Sequence, residues 1–156
     1  MKIIHLSKLE DVFFEENSDL IEALHTGSGG DMAAEKTRGY GVVTVRIENG
    51  MLFGIPLRSH ITHRSAFITK GTKGLDYTKA LLIKDENHVS RQTFEIPKDE
   101  FLRIAERELF IREKFEKFVK KYIRAARSGD ANILREYRFS TLQNYHAGFR
   151  IGPFRT

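Results

Sequence analysis

Residues 55–63 read IPLRSHITH and place Arg58, Ser59, His60, Thr62 and His63 in one short run, followed at once by Arg64. Lys70, Lys73, Asp76, Tyr77 and Lys79 follow before the next apolar stretch. Such groups suit cleavage of RNA without a metal. That reaction needs a base to take the proton from a ribose 2′-OH, donors to stabilise the anionic phosphorane, and an acid to protonate the departing 5′-oxygen. Histidine titrates near neutrality and serves as either base or acid, while arginine and lysine supply fixed positive charge. RNA would be cut and DNA spared, because the 2′-OH is itself the nucleophile. Spacing alone also allows a plainer reading, in which His60 and His63 are structural or solvated loop histidines. As a metal pair they lack a third ligand at useful spacing, since Asp76 is separated by GTKG and His5, His25, His88 and His146 are scattered.

Other catalytic signatures are missing. The chain has no Walker loop, no G-x-S-x-G, no H-E-x-x-H and no acidic cluster of the kind a two-metal nuclease uses. Cysteine is absent, which removes thiolate zinc sites and cysteine nucleophiles and accords with a reducing cytoplasm. No cofactor and no metal is expected. The net charge of +5 is unevenly spread. Residues 1–35 carry two Lys against eight acids, a balance of −6, and residues 36–156 carry 24 basic and 13 acidic residues, a balance of +11. A basic body behind an acidic leading segment suits a polyanionic partner. No apolar run approaches the roughly 20 residues that cross a bilayer, so a cytoplasmic protein without a membrane partner is expected.

The elements that must position these residues follow from periodicity. The 156 residues fit one domain, 1–156, with enough chain to bury a core. Ile4 and Leu6 suggest a short strand, and the spacing of Leu9, Val12, Phe13, Leu20, Ile21 and Leu24 suggests one or two helices. GSGGD at 27–31 reads as a connector that could form a mobile loop over a site. From Tyr40 to Ile47 the period is two, Glu48-Asn49-Gly50 signals a hairpin turn, and Met51 to Ile55 returns as a strand. Pro56 should close that strand. A Gly-rich loop, GTKG, and the segment LDYTK then lead to a strand through Ala80 to Ile83. Residues 98–127 read as one long amphipathic helix with a stripe of Phe101, Ile104, Ile111, Phe115, Phe118 and Tyr122, widened by Leu102, Ala105, Leu109, Val119 and Ile123. Ser128-Gly129-Asp130 should end it. The last turns of this helix hold Lys117, Lys120, Lys121, Arg124 and Arg127, which either contact phosphates or form a solvated face that complements the helix dipole. A shorter segment at 132–145 and a basic tail complete an α+β chain whose core is an antiparallel sheet.

Three blocks, IPLRSHITHRSAF at 55–67, KGLDYTKALLI at 73–83 and REYRFSTLQNYH at 135–146, resemble the TenpN branch of type III toxin–antitoxin toxins, relatives of the ToxN and AbiQ endoribonucleases. The resemblance runs from about residue 39 to 146, and the acidic first 38 residues match it less clearly. It implies a sequence-specific endoribonuclease toxin of cellular and phage RNA, with a role in abortive infection or plasmid maintenance. Its partner would be a small, repetitive, pseudoknot-like antitoxin RNA that the toxin processes and binds in its own groove, giving an RNA-mediated hetero-oligomer. It also implies a compact, barrel-like, highly twisted antiparallel sheet flanked by helices.

In those relatives the strand after the hairpin ends in Pro-Leu-Thr-Ser, with a lysine soon after; the matching run here is Pro56-Leu57-Arg58-Ser59. The resemblance therefore gives Ser59 the hydroxyl role, puts Arg58 in place of a threonine, and makes Arg38 the nearest match to a basic residue that precedes the hairpin. Both lines together assign proton transfer to His63 or His60, phosphate binding or 2′-OH orientation to Ser59, and phosphorane stabilisation to Arg58, Arg38 and Lys79. Arg64, Lys70, Lys73 and Tyr77 join the helix cations as RNA contacts. Asp76 organises the site, and Tyr77 either does so or packs in the core. Ser140 and Tyr145 either complete the groove or serve as a helix-capping serine and a packed tyrosine. The competing functions are a non-catalytic RNA-binding module, which would use counterion release and base stacking, and a DNA-binding regulator, for which no helix-turn-helix can be placed.

Overall fold

A computed structural model describes residues 4–17, 20, 40–93 and 96–151. The connector at 27–31, the helical spacing beyond Leu20, Arg38 and the last five residues of the basic tail lie outside the described residues. The strands are β1 (Ile4–Leu9), β2 (Tyr40–Arg46), β3 (Leu52–Arg58), β4 (Ala66–Lys70), β5 (Lys73–Asp76), β6 (Leu81–Ile83) and β7 (Val89–Thr93). The helices are α1 (Asp11–Glu16), α2 (Lys98–Glu106), α3 (Glu108–Ser128) and α4 (Ala131–Glu136). Three single 3-10 turns, Tyr77–Lys79, Glu86–His88 and Thr141–Asn144, join them.

All strand pairings are antiparallel, in the order β4-β5-β3-β2-β1-β7, with β6 also paired to β3. The α+β class and the antiparallel core are as expected. The barrel-like closure is not: no pairing among the described residues joins β4 to β7, so the sheet is open. Helix α2 meets the β4 edge instead. Arg103 Nε donates to the Ile68 carbonyl at 2.8 Å, and Thr69 Oγ1 donates to the buried Glu100 carboxylate at 2.7 Å. A helix laid on an edge strand satisfies groups that a barrel would pair.

The β2–β3 hairpin turns as the Asn-Gly signal requires. Ile47 N–H donates to the Met51 carbonyl and Gly50 N–H to the Ile47 carbonyl, with Gly50 at φ 89°, giving a three-residue loop with a glycine in the left-handed region. Pro56 does not close β3, which runs on to Arg58 in the middle of the sheet. From the Ile47–Met51 bond, alternation turns the polar groups of Phe53, Ile55 and Leu57 towards β2 and those of Gly54 and Pro56 to the other side. On that side β6 pairs β3 only as far as Gly54, and β5 begins pairing at Leu57. The nitrogen of Pro56 thus falls in the gap between two half-ladders, where no donor is needed.

GTKG is a hairpin rather than a loop. Lys70 pairs with Lys73 around Gly71, which sits at φ 62°; the strand that LDYTK was expected to precede is β6, and β5 takes in Leu75 and Asp76 of that segment. Gly74 is required there, because a Cβ would lie 2.1 Å from the Phe67 carbonyl oxygen.

The long helix is two helices. Arg107, at φ −118° and ψ 24°, ends α2 with a tight bond from its N–H to the Ile104 carbonyl, and its own carbonyl starts α3 by accepting from Ile111 at 2.9 Å. No Gly or Pro causes the break. Helix α2 is drawn onto β4 through Glu100 and Ile104, whereas α3 buries Ile111, Phe115, Val119, Tyr122 and Ala126 on the Val43, Val45, Phe53 and Ile55 face of the sheet. Phe101, Leu102 and Leu109, expected in or beside the stripe, are exposed around the bend. On the opposite face, Phe13 of α1 packs with Leu9, Val42, Leu81 and Ile83. Helix α3 ends at Ser128 with Gly129 at φ 71°, as its sequence signals.

Gly74→Ala is expected to destabilise the protein by about 1–3 kcal/mol, as overpacking against backbone does, read as a lower urea midpoint. An unchanged midpoint would mean that β4 and β5 do not approach this closely.

Candidate functional site

The site is built around Asp76 at the end of β5. Arg58 pairs with Gly74 across the β3–β5 ladder, and Asp76, two residues on from Gly74, shares that face. Arg58 Nη1 reaches Asp76 Oδ2 at 2.8 Å, and His63 Nε2 lies 3.1 Å from Asp76 Oδ1. The same Oδ1 accepts from the Thr78 N–H at 3.0 Å and from the Thr78 hydroxyl, which starts the Tyr77–Lys79 turn. Asp76 is fully buried. The loop at 59–65 is pinned at both ends, by Ile61 N–H donating to the Thr72 carbonyl and by Tyr77 N–H donating to the Ser65 carbonyl.

The two histidines differ in what their nitrogens do. His63 Nδ1 accepts from the Ser65 N–H at 3.1 Å, which leaves the proton on Nε2, where it faces Asp76. Both ring nitrogens are therefore engaged, and the neutral tautomer is the one this geometry accommodates. His60 is exposed, and its Nδ1 lies 3.1 Å from the Ser59 hydroxyl. It holds φ 59°, a left-handed conformation that costs a non-glycine residue about 1–3 kcal/mol.

Beside this cluster lies a groove of about 420 Å³ lined by Arg64, Ser65, Ala66 and Tyr77 from the β3–β5 region, by Phe110, Lys114, Lys117, Phe118 and Lys121 of α3, and by Glu136 and Tyr137. Tyr77 is buried against Phe115 and Phe118, and burial holds its hydroxyl well above the usual phenol range. That hydroxyl has no hydrogen-bond partner among the described residues. Tyr137 is raised likewise, by burial first and the Glu136 charge second, and donates to the Phe118 carbonyl at 2.7 Å. Lys114 and Arg107 stand over the Phe110 ring at 5.5 and 4.3 Å from its centroid. Lys121 is paired with Glu136 at 3.3 Å.

The fold brings Arg58 and His63 together on Asp76, with Ser59 and His60 paired to each other in the chain between them, and sets Arg64, Tyr77, Lys117 and Lys121 in the adjoining groove. The other candidates have partners or positions of their own. Lys70, paired with Asp99 at 3.5 Å, and Lys73 sit at the turn of the β4–β5 hairpin. Lys79 Nζ donates to the Phe139 carbonyl at 2.9 Å. Lys120, Arg124 and Arg127 face a second groove. Ser140 accepts from the Leu142 N–H and caps the Thr141–Asn144 turn, and Tyr145 is packed against Phe53 and Phe149. These are the capping and packing roles. Phe110, Lys114 and Tyr137 do not stand out in the sequence; the spacing of Lys114, Lys117 and Lys121 on one helix face is the signal that could have found the groove.

No family model matches the chain, nor does any curated protein or solved structure. No helix of the described residues is long and apolar enough to cross a membrane.

Asp76→Ala strips Arg58 and His63 of a buried partner and is expected to cost about 3–5 kcal/mol, whereas Lys121→Ala, at an exposed pair, should stay within about 0.5 kcal/mol of the parent; urea titrations compare them. His146, which meets the Tyr122 hydroxyl through Nε2, has its pKa lowered by burial. The unfolded chain then binds a proton more readily than the folded one, so stability falls as pH drops through the ordinary histidine value of about 6.5. Thermal midpoints measured from about pH 7.5 to 5 should decline less steeply in His146→Gln; an identical slope would assign the decline to other groups.

Proposed function

We propose that the chain is a metal-independent endoribonuclease toxin of the type III class, cutting RNA by attack of a ribose 2′-OH on the adjacent phosphodiester. The observation that carries this reading is the exposed Ser59–His60 pair, set directly after an arginine anchored on the buried Asp76, in a loop whose far end, Arg64 and Ser65, lines a groove of cations and aromatic rings. His60 takes the 2′-OH proton, either directly or through Ser59, as the oxygen bonds to phosphorus. Arg58 offsets the charge that builds on the phosphorane. The bond to the 5′-oxygen breaks, that oxygen takes a proton from water, and the imidazolium of His60 gives its proton to the resulting hydroxide. The products are a 2′,3′-cyclic phosphate and a 5′-hydroxyl, and no electron changes hands. His63, with both nitrogens bonded, positions the loop rather than moving protons.

The groove supports an RNA ligand in particular. Cations with aromatic rings between them suit a single strand, whose phosphates meet the former while its bases stack on the latter. The partner we propose is the small repetitive antitoxin RNA implied by the sequence resemblance, occupying this groove in place of cytoplasmic cellular and phage RNA.

Purified protein should cleave RNA in the presence of chelator, and a single 2′-deoxy substitution at the scissile nucleotide should block the cut. Ser59→Ala and His60→Ala should each lower the rate by about 10²-fold or more, the usual worth of a positioned proton-transfer group. His60→Gly also relieves the positive φ, so it should match or exceed the parent in stability while losing cleavage. Full activity in both alanine variants would sink the assignment. Salt-sensitive RNA binding with no cleavage from about pH 5 to 9, the span around the histidine transition, would leave a non-catalytic RNA-binding module. Growth arrest on expression should be relieved by short tandem-repeat RNA encoded immediately upstream.

A further inference from the structure

The basic run of α3 is shared between two grooves. At 3.6 residues per turn, Lys114, Lys117 and Lys121 fall on one side of the buried stripe and Lys120, Arg124 and Arg127 on the other. The first row lines the groove described above, and the second lines a separate groove of about 880 Å³.

The second groove has a different chemistry. Its wall holds Lys120, Arg124, Arg127 and Arg150, with no acid among its described lining residues. Its neutral polar side chains are occupied within the protein. Asn49 accepts from the Met51 N–H at 2.9 Å and its amide nitrogen lies 3.2 Å from the Met51 sulfur, while the Ser128 hydroxyl donates to the Ala125 carbonyl at 3.3 Å. Its aromatic residue, Phe149, is buried and offers no face for stacking. Two of the cations are held in place: Lys120 by Glu48 at 3.0 Å, and Arg127 by the Phe149 carbonyl at 3.1 Å. Lys120, Arg124 and Arg127 step along the axis by about 6 and 4.5 Å, and Arg150 faces them from a backbone at φ 58°.

We propose that this groove is an RNA-backbone exosite, which grips phosphates and reads no sequence, separate from the Ser59–His60 cluster. Sequence readout needs donors, acceptors or stacking faces directed at bases, and phosphate contacts alone carry none. The concave shape and the lack of an exposed apolar wedge favour a nucleic-acid strand over a lipid surface. The inference rests on the proposed action on RNA, deepening it by dividing affinity from cleavage between two faces of one helix.

The experiment uses the full chain with the double substitution Arg124→Gln and Arg150→Gln, which leaves the Ser59–His60 cluster and the first groove intact. RNA binding is measured by fluorescence anisotropy across a salt series, and cleavage by initial rates at saturating and limiting RNA. Each phosphate that the protein no longer neutralises should reduce the slope of log K against log salt by about 0.7–0.9, so the double variant should lose between one and two units of slope. KM should rise severalfold while kcat, the cleaved positions and the circular dichroism spectrum match the parent. An unchanged slope and KM in a variant of a parent that binds RNA overturns the exosite, as does a change in cleaved positions. Selective loss of binding to vesicles containing phosphatidylserine would make the groove a membrane contact and also overturn it. A parent that binds RNA without cutting it refutes the endoribonuclease reading alone, since the salt slopes still decide the groove; a parent that binds no RNA refutes both.

Discussion

A carboxylate buried without partners costs several kcal/mol, and Asp76 is fully buried. Its position is tenable because Arg58, His63 and Thr78 all direct donors at it. Those donors come from the end of β3, from the loop that follows and from the turn after β5. One buried charge therefore ties three pieces of chain together, and the loop between β3 and β4 is held by that tie. His63 is held by Asp76 on one nitrogen and by Ser65 on the other, so the freedom left in the loop falls to His60.

That division separates the work of two histidines that look alike in sequence. A residue bonded at both nitrogens stabilises one geometry, and a proton carrier must leave at least one nitrogen open to the reacting group. His60 is exposed in a left-handed conformation that costs a non-glycine residue energy, which is why the proposed proton transfer is placed there. The contrast depends on partners supplied by Asp76 and the Ser65 backbone, neither of which is visible in a spacing of three residues.

The legible features are those written locally. Asn49-Gly50 gives a hairpin, Gly129 ends a helix, and Arg58, Ser59, His60 and His63 gather in space because they are neighbours in the chain. What the sequence hid depends on distant contacts. Pro56 violates a sound rule for central strands, since two strands of three and four residues share one edge of β3 and leave a gap at its nitrogen. The β5 strand is short and carries Gly74, so it reads as loop, yet glycine is there to admit the Phe67 and Ile68 backbone. The break at Arg107 leaves no mark on the apolar period, because Ile104 and Ile111 stay seven residues apart on either side of it. In the groove, Phe110 and Tyr137 acquire their role from tertiary packing, and a stripe reading assigns such residues to the core by default.

Helix α3 carries these threads together. Its buried stripe holds the sheet, and Glu116, at the margin of that stripe, accepts from the Glu48 N–H in the β2–β3 turn, fixing the hairpin from which β3 departs towards the site. Its cations lie at exposed or half-exposed positions on both flanks of the stripe. Exposed ion pairs such as Lys120 with Glu48 and Lys121 with Glu136 contribute little to stability, since solvent and salt screen them. Folding and the RNA binding proposed above therefore draw on different faces of the same helix. A cation can be removed from either flank while the stripe stays packed, so effects on RNA at those positions report contact with RNA and not the loss of the fold.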